Sequence, residues 1–219
     1  MNSDVKNMVK DSLVLFVITL IAGLVLGVVY QVTKDPIAAQ QEKAKQEACK
    51  EVFADAASFR VWTADGSGAS AEGDAVNTPQ DASWTELGFG GVDIGEVLAA
   101  EDDGGNVLGY VVTVNDHEGY GGDIRFMMGI RSDGTLNGIS LLAISETAGL
   151  GMRAEEVLKP QFAGKNAESF EYVKGNAAGE GQIDAISGAT ITTNAVTTAV
   201  NGGLYYFQTW LGGGGNEAE

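Results

Sequence analysis

The chain has 219 residues, enough for one globular domain with a sizeable core plus a short extra segment. Charge is unevenly divided: 13 Lys and Arg stand against 30 Asp and Glu, and residues 51–219 alone carry a net −18, which repels phosphate backbones and excludes nucleic acid as a partner. A single cysteine, Cys49, and a single histidine, His117, exclude an internal disulfide, a CxxC redox pair, a multi-cysteine iron–sulfur cluster and His-rich zinc sites, so redox chemistry here would need a borrowed cofactor.

In chain order, residues 1–12 form a short N-terminal segment. From Leu13 to Tyr30 the chain runs without a charge, and as a helix at about 1.5 Å per residue it spans about 27 Å, close to the hydrocarbon thickness of a bilayer. This predicts one transmembrane helix over 13–32. A buried core helix or a cleaved signal peptide is the alternative, but the run is longer than a signal h-region and no A-x-A site follows it. Lysines lie on both sides of the run, so charge does not fix the orientation. Asp35-Pro36 reads as a fresh helix start, and the helix formers after it predict a helical stalk over 33–62. Residues 63–83 are small, polar and acidic, and read as a flexible loop.

The domain expected over 84–211 starts with three β-rich runs: Val107–Val114, Ile124–Ile130 and Leu136–Ile144. Asp133-Gly134 joins the last two as an antiparallel hairpin. Met152–Gly164 reads as a short helix stopped by Pro160, and Glu171–Gly175 as another strand. Apolar residues at helical spacing, from Ala195 to Phe207, place a final helix over Thr193–Leu211, ahead of a disordered tail at 212–219. The fold class is α+β: a twisted, largely antiparallel sheet with packed helices behind one N-terminal span.

Chemistry concentrates in D-A-I-S-G-A-T, residues 184–190. Ser187, Gly188 and Ala189 keep the backbone small, and a helix begins just after Thr190, so its unpaired N–H groups and dipole favour an anion there, with the hydroxyls of Thr190 and Thr192 beside it. An ordinary turn with a Ser/Thr helix cap has the same letters, and the residues alone leave both readings open.

The segment resembles the flavinylation motif D-x-x-[ST]-G-A-T of the FMN-binding domain family, in which a flavin transferase joins the last Thr to the FMN phosphate. S-E-T-A-G-L-G, residues 145–151, is similar to the family's E-T-P-G-L-G loop, with Ala148 where Pro is usual. G-Y-G-G, residues 119–122, is similar to its G-Y-x-G segment. Within that family, size and single-span layout most resemble the G subunits of the Rnf complex, an ion-translocating ferredoxin:NAD+ oxidoreductase. The C subunits of the sodium-translocating NADH:quinone oxidoreductase are related and usually longer.

The resemblance implies FMN held covalently as a phosphoester on Thr190, with Asp184, Ser187, Gly188 and Ala189 as its recognition sequence and Thr192 adjoining. Glu146, Thr147, Gly149, Leu150 and Gly151 would border the ring. It further implies an electron relay inside a translocase, with no independent substrate chemistry and no catalytic or metal-ligating residue. The implied partners are other Rnf membrane subunits, a flavin transferase for maturation and the lipid bilayer. The implied location is the cell membrane, single-pass, with the N-terminus cytoplasmic and the FMN domain on the outer face. A free-standing extracytoplasmic flavoprotein and a cofactor-free, membrane-tethered acidic binding module are the rival readings. Asn115-Asp-His-Glu118 reads as a polar turn at a strand end rather than a metal or proton-transfer site. Glu101-Asp-Asp-Gly-Gly105 reads as a solvated turn, and Tyr205, Tyr206, Phe207 and Trp210 as core of the last helix.

Overall fold

The computed structural model describes residues 3–62, 77–79 and 82–212. Most of the acidic loop expected over 63–83 and of the tail expected over 212–219 lies outside them; of the loop, residues 77–79 and 82–83 are described, and the Thr78 hydroxyl accepts from the Ile94 N–H at 2.8 Å. The chain divides into two units, Met1–Ala44 and Lys45–Glu219.

The first unit is helical and belongs to α1 (Ser3–Val52), which runs through Pro36 without a break, so Asp35-Pro36 is not the helix start that the sequence suggested. From Leu13 to Val32 its large apolar side chains are exposed, and the helix is long and apolar enough to cross a membrane.

The second unit begins with the last two turns of α1, and the helix ends at Val52. Residues expected to continue the stalk instead form a strand, β1 (Ser58–Val61). After the short helix α2 (Ala82–Glu86) come β2 (Val92–Glu101), β3 (Val107–Asp116), β4 (Ile124–Arg131) and β5 (Leu136–Ile144), which with β1 make an antiparallel meander in the order β1-β2-β3-β4-β5. The hairpin expected at Asp133-Gly134 is present, with Met128 opposite Ile139. Alternation puts Val112, Val114, Phe126, Met128 and Ile130 on one face and Val111 and Met127 on the other. In β2 a register shift between Ile94 and Val97 lets both residues, three apart, serve the same face.

A 3-10 turn (Gly151–Arg153) leads into α3 (Ala154–Val157) and α4 (Lys159–Phe162). Pro160 sits in the first turn of α4 and so divides the expected helix rather than stopping it. Glu171–Val173, β6, pairs in parallel with β7 (Gln182–Asp184) in a separate two-stranded sheet. The last helix, α5 (Thr190–Trp210), begins three residues earlier than its apolar spacing suggested. Its Ala195, Val196, Ala199, Val200, Leu204 and Phe207 cover the first sheet face, and Tyr206 and Trp210 stack near its end at 5.3 Å between ring centroids. The opposite face is covered by Ala48, Cys49, Val52 and Phe53 from the end of α1. Phe53 is fully buried, and Asn137 on β5 donates to the Val52 carbonyl at 2.8 Å.

Candidate functional site

At the N-terminal end of α5, three loops meet around an open cleft of about 460 Å³, within the roughly 300–1,000 Å³ typical of ligand sites. The loop between β3 and β4 contributes Tyr120. The loop after β5 contributes Glu146, Thr147, Leu150 and Gly151, and the segment opening α5 contributes Gly188 to Thr192.

Two similar turns face each other across it. In the first, the Ala189 N–H donates to the Ile186 carbonyl at 3.1 Å and Gly188 has φ +81°. In the second, the Leu150 N–H donates to the Thr147 carbonyl at 3.1 Å and Gly149 has φ +77°. A positive φ at the third residue marks a type II turn, and glycine adopts it without strain. The turns touch: a Cβ on Gly188 would come 3.1 Å from Leu150 Cδ2.

The first turn is locked to the helix by Thr193, which is wholly buried. Its Oγ1 accepts from the Ile186 N–H at 3.1 Å and donates to the Ala189 carbonyl at 2.9 Å. The residue preceding α5 is Ala189, and no side chain caps the helix. The segment is therefore not the ordinary Ser/Thr cap that its letters also allowed. The unpaired N–H groups of a 21-residue helix open onto the cleft, with Thr190 exposed at their edge.

Glu146 joins all three loops. Its Oε1 accepts from the Gly121 N–H at 3.1 Å and its Oε2 from the Thr192 hydroxyl at 3.0 Å. A Cβ on Gly151 would lie 2.7 Å from Glu146 Oε2 and 2.5 Å from Thr192 Oγ1, so only glycine permits this junction. Leu150, Ile191 and Tyr120 stay exposed around the cleft and give it an apolar rim.

Of the residues singled out by sequence, Thr190, Gly188, Ala189, Thr192, Glu146, Thr147, Leu150 and Gly151 line the cleft. Gly149 is the exposed apex of its turn, and Ser187 is exposed beside Gly188. Asp184 is not among the lining residues. Its carboxylate accepts from the Ala177 N–H at 2.8 Å, while the Gln161 side chain holds its backbone N–H at 2.6 Å and its carbonyl at 3.0 Å. Tyr120 and Ile191 were not singled out; the G-Y-G-G segment between two strands was the available signal for Tyr120. His117, read from the sequence as part of a polar turn at a strand end, bonds Asp93 and Asp123. Among the described residues no group of three or more His, Cys, Asp or Glu side chains is arranged so that it could hold a metal ion.

Residues 119–204 match the model of the FMN-binding domain and residues 1–52 that of the RnfG N-terminal region. The G subunit of the Na+-translocating ferredoxin:NAD+ oxidoreductase complex of Acetobacterium woodii is 32% identical over 94% of this chain and 94% of its own length. The chain belongs to the family of G subunits of these complexes. The G subunit of the ion-translocating oxidoreductase complex of Methanosarcina acetivorans is 33% identical over 93% of this chain and 96% of that protein. This member of the family also shares the fold of Shewanella oneidensis NqrC, at a TM-score of 0.56 and 18% identity, covering 79% of this chain and 96% of that one.

The residues present fit a flavin mononucleotide. An uncapped helix end suits a phosphate, an exposed hydroxyl stands beside it, and an apolar rim between two glycine turns suits a flat ring.

Proposed function

We propose that this protein holds FMN in the cleft, with its phosphate at the start of α5 and esterified to Thr190, and serves as an electron relay in an Rnf-type ferredoxin:NAD+ oxidoreductase. The uncapped start of α5, opening on a cleft with Thr190 exposed at its edge, carries this reading. FMN, when bound, supplies the electron transfer, and the chain's own part is binding, orientation and electrostatics. The N–H groups of the first turn of α5 stabilise phosphate charge. Thr190 offers the hydroxyl for the ester, and Thr193 keeps that turn fixed beneath it. Leu150, Ile191 and Tyr120 offer apolar surface to the ring, and Glu146 sets the spacing of the three loops. Asp184 contributes indirectly, as the end of β7 that delivers the motif to the helix.

The partners in this reading are the other Rnf membrane subunits and a flavin transferase for maturation. The apolar helix of the first unit anchors the chain in the cell membrane, with the N-terminus cytoplasmic and the FMN domain on the outer face.

One experiment tests attachment and side together. Produced with a flavin transferase, the protein should keep flavin fluorescence through a denaturing gel. In unbroken cells its flavin should be bleached by a membrane-impermeant reductant. Thr190→Val should abolish the gel signal while changing folding stability by no more than about 1–2 kcal/mol, the scale of one lost hydrogen bond. Fluorescence that survives in that variant would remove Thr190 from the assignment, and bleaching only after lysis would reverse the orientation.

A further inference from the structure

The loop between β3 and β4, residues 117–123, carries Tyr120 into the cleft and Gly121 against Glu146, and its base is closed by one side chain. His117 Nε2 lies 2.9 Å from Asp93 Oδ2 on β2, and its Nδ1 lies 3.0 Å from Asp123 Oδ1 at the far end of the loop. A neutral imidazole has one N–H and one bare lone pair. It therefore satisfies one of these contacts and turns a lone pair on a carboxylate oxygen at the other. Only the imidazolium donates to both. The surrounding groups favour that form: Asp93 on β2, Asp116 at the end of β3, and Glu118 and Asp123 in the loop are all acidic, while Arg125 on β4 acts on Asp123. The Asn115 amide nitrogen is 3.3 and 3.5 Å from the two ring nitrogens, nearly equidistant, and so is aligned with neither lone pair.

We propose that His117 is a positioning residue of the cleft that acts as its imidazolium: by holding Asp93 and Asp123 at once it closes the loop that walls the cleft, so a proton sets that wall. The coupling is short. Gly121, four residues on, gives its N–H to Glu146 Oε1 at 3.1 Å, and the neighbouring Tyr120 side chain is 69% exposed on the cleft. The bonds to Asp93 and then Asp123 hold the imidazole pKa above its ordinary 6.5. The brace is therefore complete below about pH 6.5 and lost as pH rises through the raised value. The side chains involved are partly exposed, so its strength is that of a surface ion pair, up to about 1 kcal/mol, which opens a loop about fivefold.

The bearing on a flavin rests on the proposed function; the brace itself does not. The test is hydrogen exchange of the full-length protein in detergent, free of flavin, at about pH 6 and about pH 8.5, with rates corrected for intrinsic chemistry. Loop amides 118–122 should exchange about fivefold faster at the higher pH while those of β4 keep their protection. The exchange is read in an Asp116→Asn background, which removes the buried acid that titrates near pH 6 beside the same loop; there His117→Gln, whose side chain is neutral at both pH values, should make the loop flat with pH. A flat Asp116→Asn parent, or a pH response that survives when His117→Gln is added to it, overturns the brace. With flavin loaded, visible circular dichroism should change over the same pH range in the Asp116→Asn parent and not once His117→Gln is added. A change present in both disconnects the brace from the cleft. A wild type that takes up no flavin refutes the proposed function, and the exchange result still decides the brace.

Discussion

Two carboxylates flank the β3–β4 loop, and the fold treats them differently. Glu146, on the cleft side, has a donor on each oxygen: a backbone N–H from one loop and a hydroxyl from α5. Asp116, on the sheet side, is fully buried; Oδ1 accepts from the Glu118 N–H at 2.7 Å, and Oδ2 has no hydrogen-bond partner. Burial pushes the Asp116 pKa up to about 6, with the bond from Glu118 opposing. The first carboxylate is a frame member. The second stores a cost that a proton relieves, because burying an unpaired charge is far more expensive than burying the neutral acid.

The largest effect that would sharpen this contrast is expected at Asp116. Its folded pKa lies above the unfolded value, so its contribution to stability is complete below about pH 4 and is lost as pH rises through about 6. A shift of about two pKa units corresponds to about 3 kcal/mol. Asp116→Asn carries no such charge, so its stability relative to wild type should grow by about 2–3 kcal/mol between about pH 4 and about pH 8 in urea titrations. A constant difference across that range would mean that Asp116 is not a buried acid in the folded chain.

An intermediate effect is expected from Glu146→Ala, which leaves the Gly121 N–H and the Thr192 hydroxyl without their acceptor. The cost should be about 1–3 kcal/mol by denaturant titration. No measurable loss would show that Glu146 does not hold the loops together, and would erase the distinction between the two carboxylates.

The smallest effect concerns the turn that follows Glu146. Ala148 occupies the second position of the Thr147–Leu150 turn, where the type II geometry favours proline. Ala148→Pro should stabilise the chain by about 0.4–1 kcal/mol by restricting the unfolded state, read as a small rise in melting temperature. Destabilisation would show that the Ala148 backbone departs from proline's φ.

Much of this was legible in the chain. The strands at β3, β4 and β5 carried β-branched and aromatic residues around a clear Asp-Gly turn, and their predicted bounds differ from the structure by two residues at most. β2 was not legible, because its Gly95, its acids and its register shift break the alternation that marks a strand. β1 was hidden behind helix formers, since pairing with β2 outweighs local propensity at Ser58–Val61. At the cleft, the motif letters located Thr190 and both glycine turns. The ties among the loops were out of reach: Glu146 and Thr192 are 46 residues apart, Gly121 and Glu146 are 25 apart, and Thr193 works through main-chain atoms that no letter encodes. Asp184, which the resemblance made part of the recognition sequence, lies off the cleft lining, and its Oδ1 accepts from the Ala177 N–H.

The second unit starts inside a helix, at Lys45, rather than at a loop. Anyone trimming the protein for crystallisation is drawn to cut where α1 ends, after Val52. That cut would uncover Leu98, Ala100, Val111 and Met127, a dry strip on the back of a five-stranded sheet, and invite aggregation through it. The useful boundary lies upstream of Lys45, so that a water-soluble fragment carries with it two turns of the helix that in its N-terminal half is built for lipid.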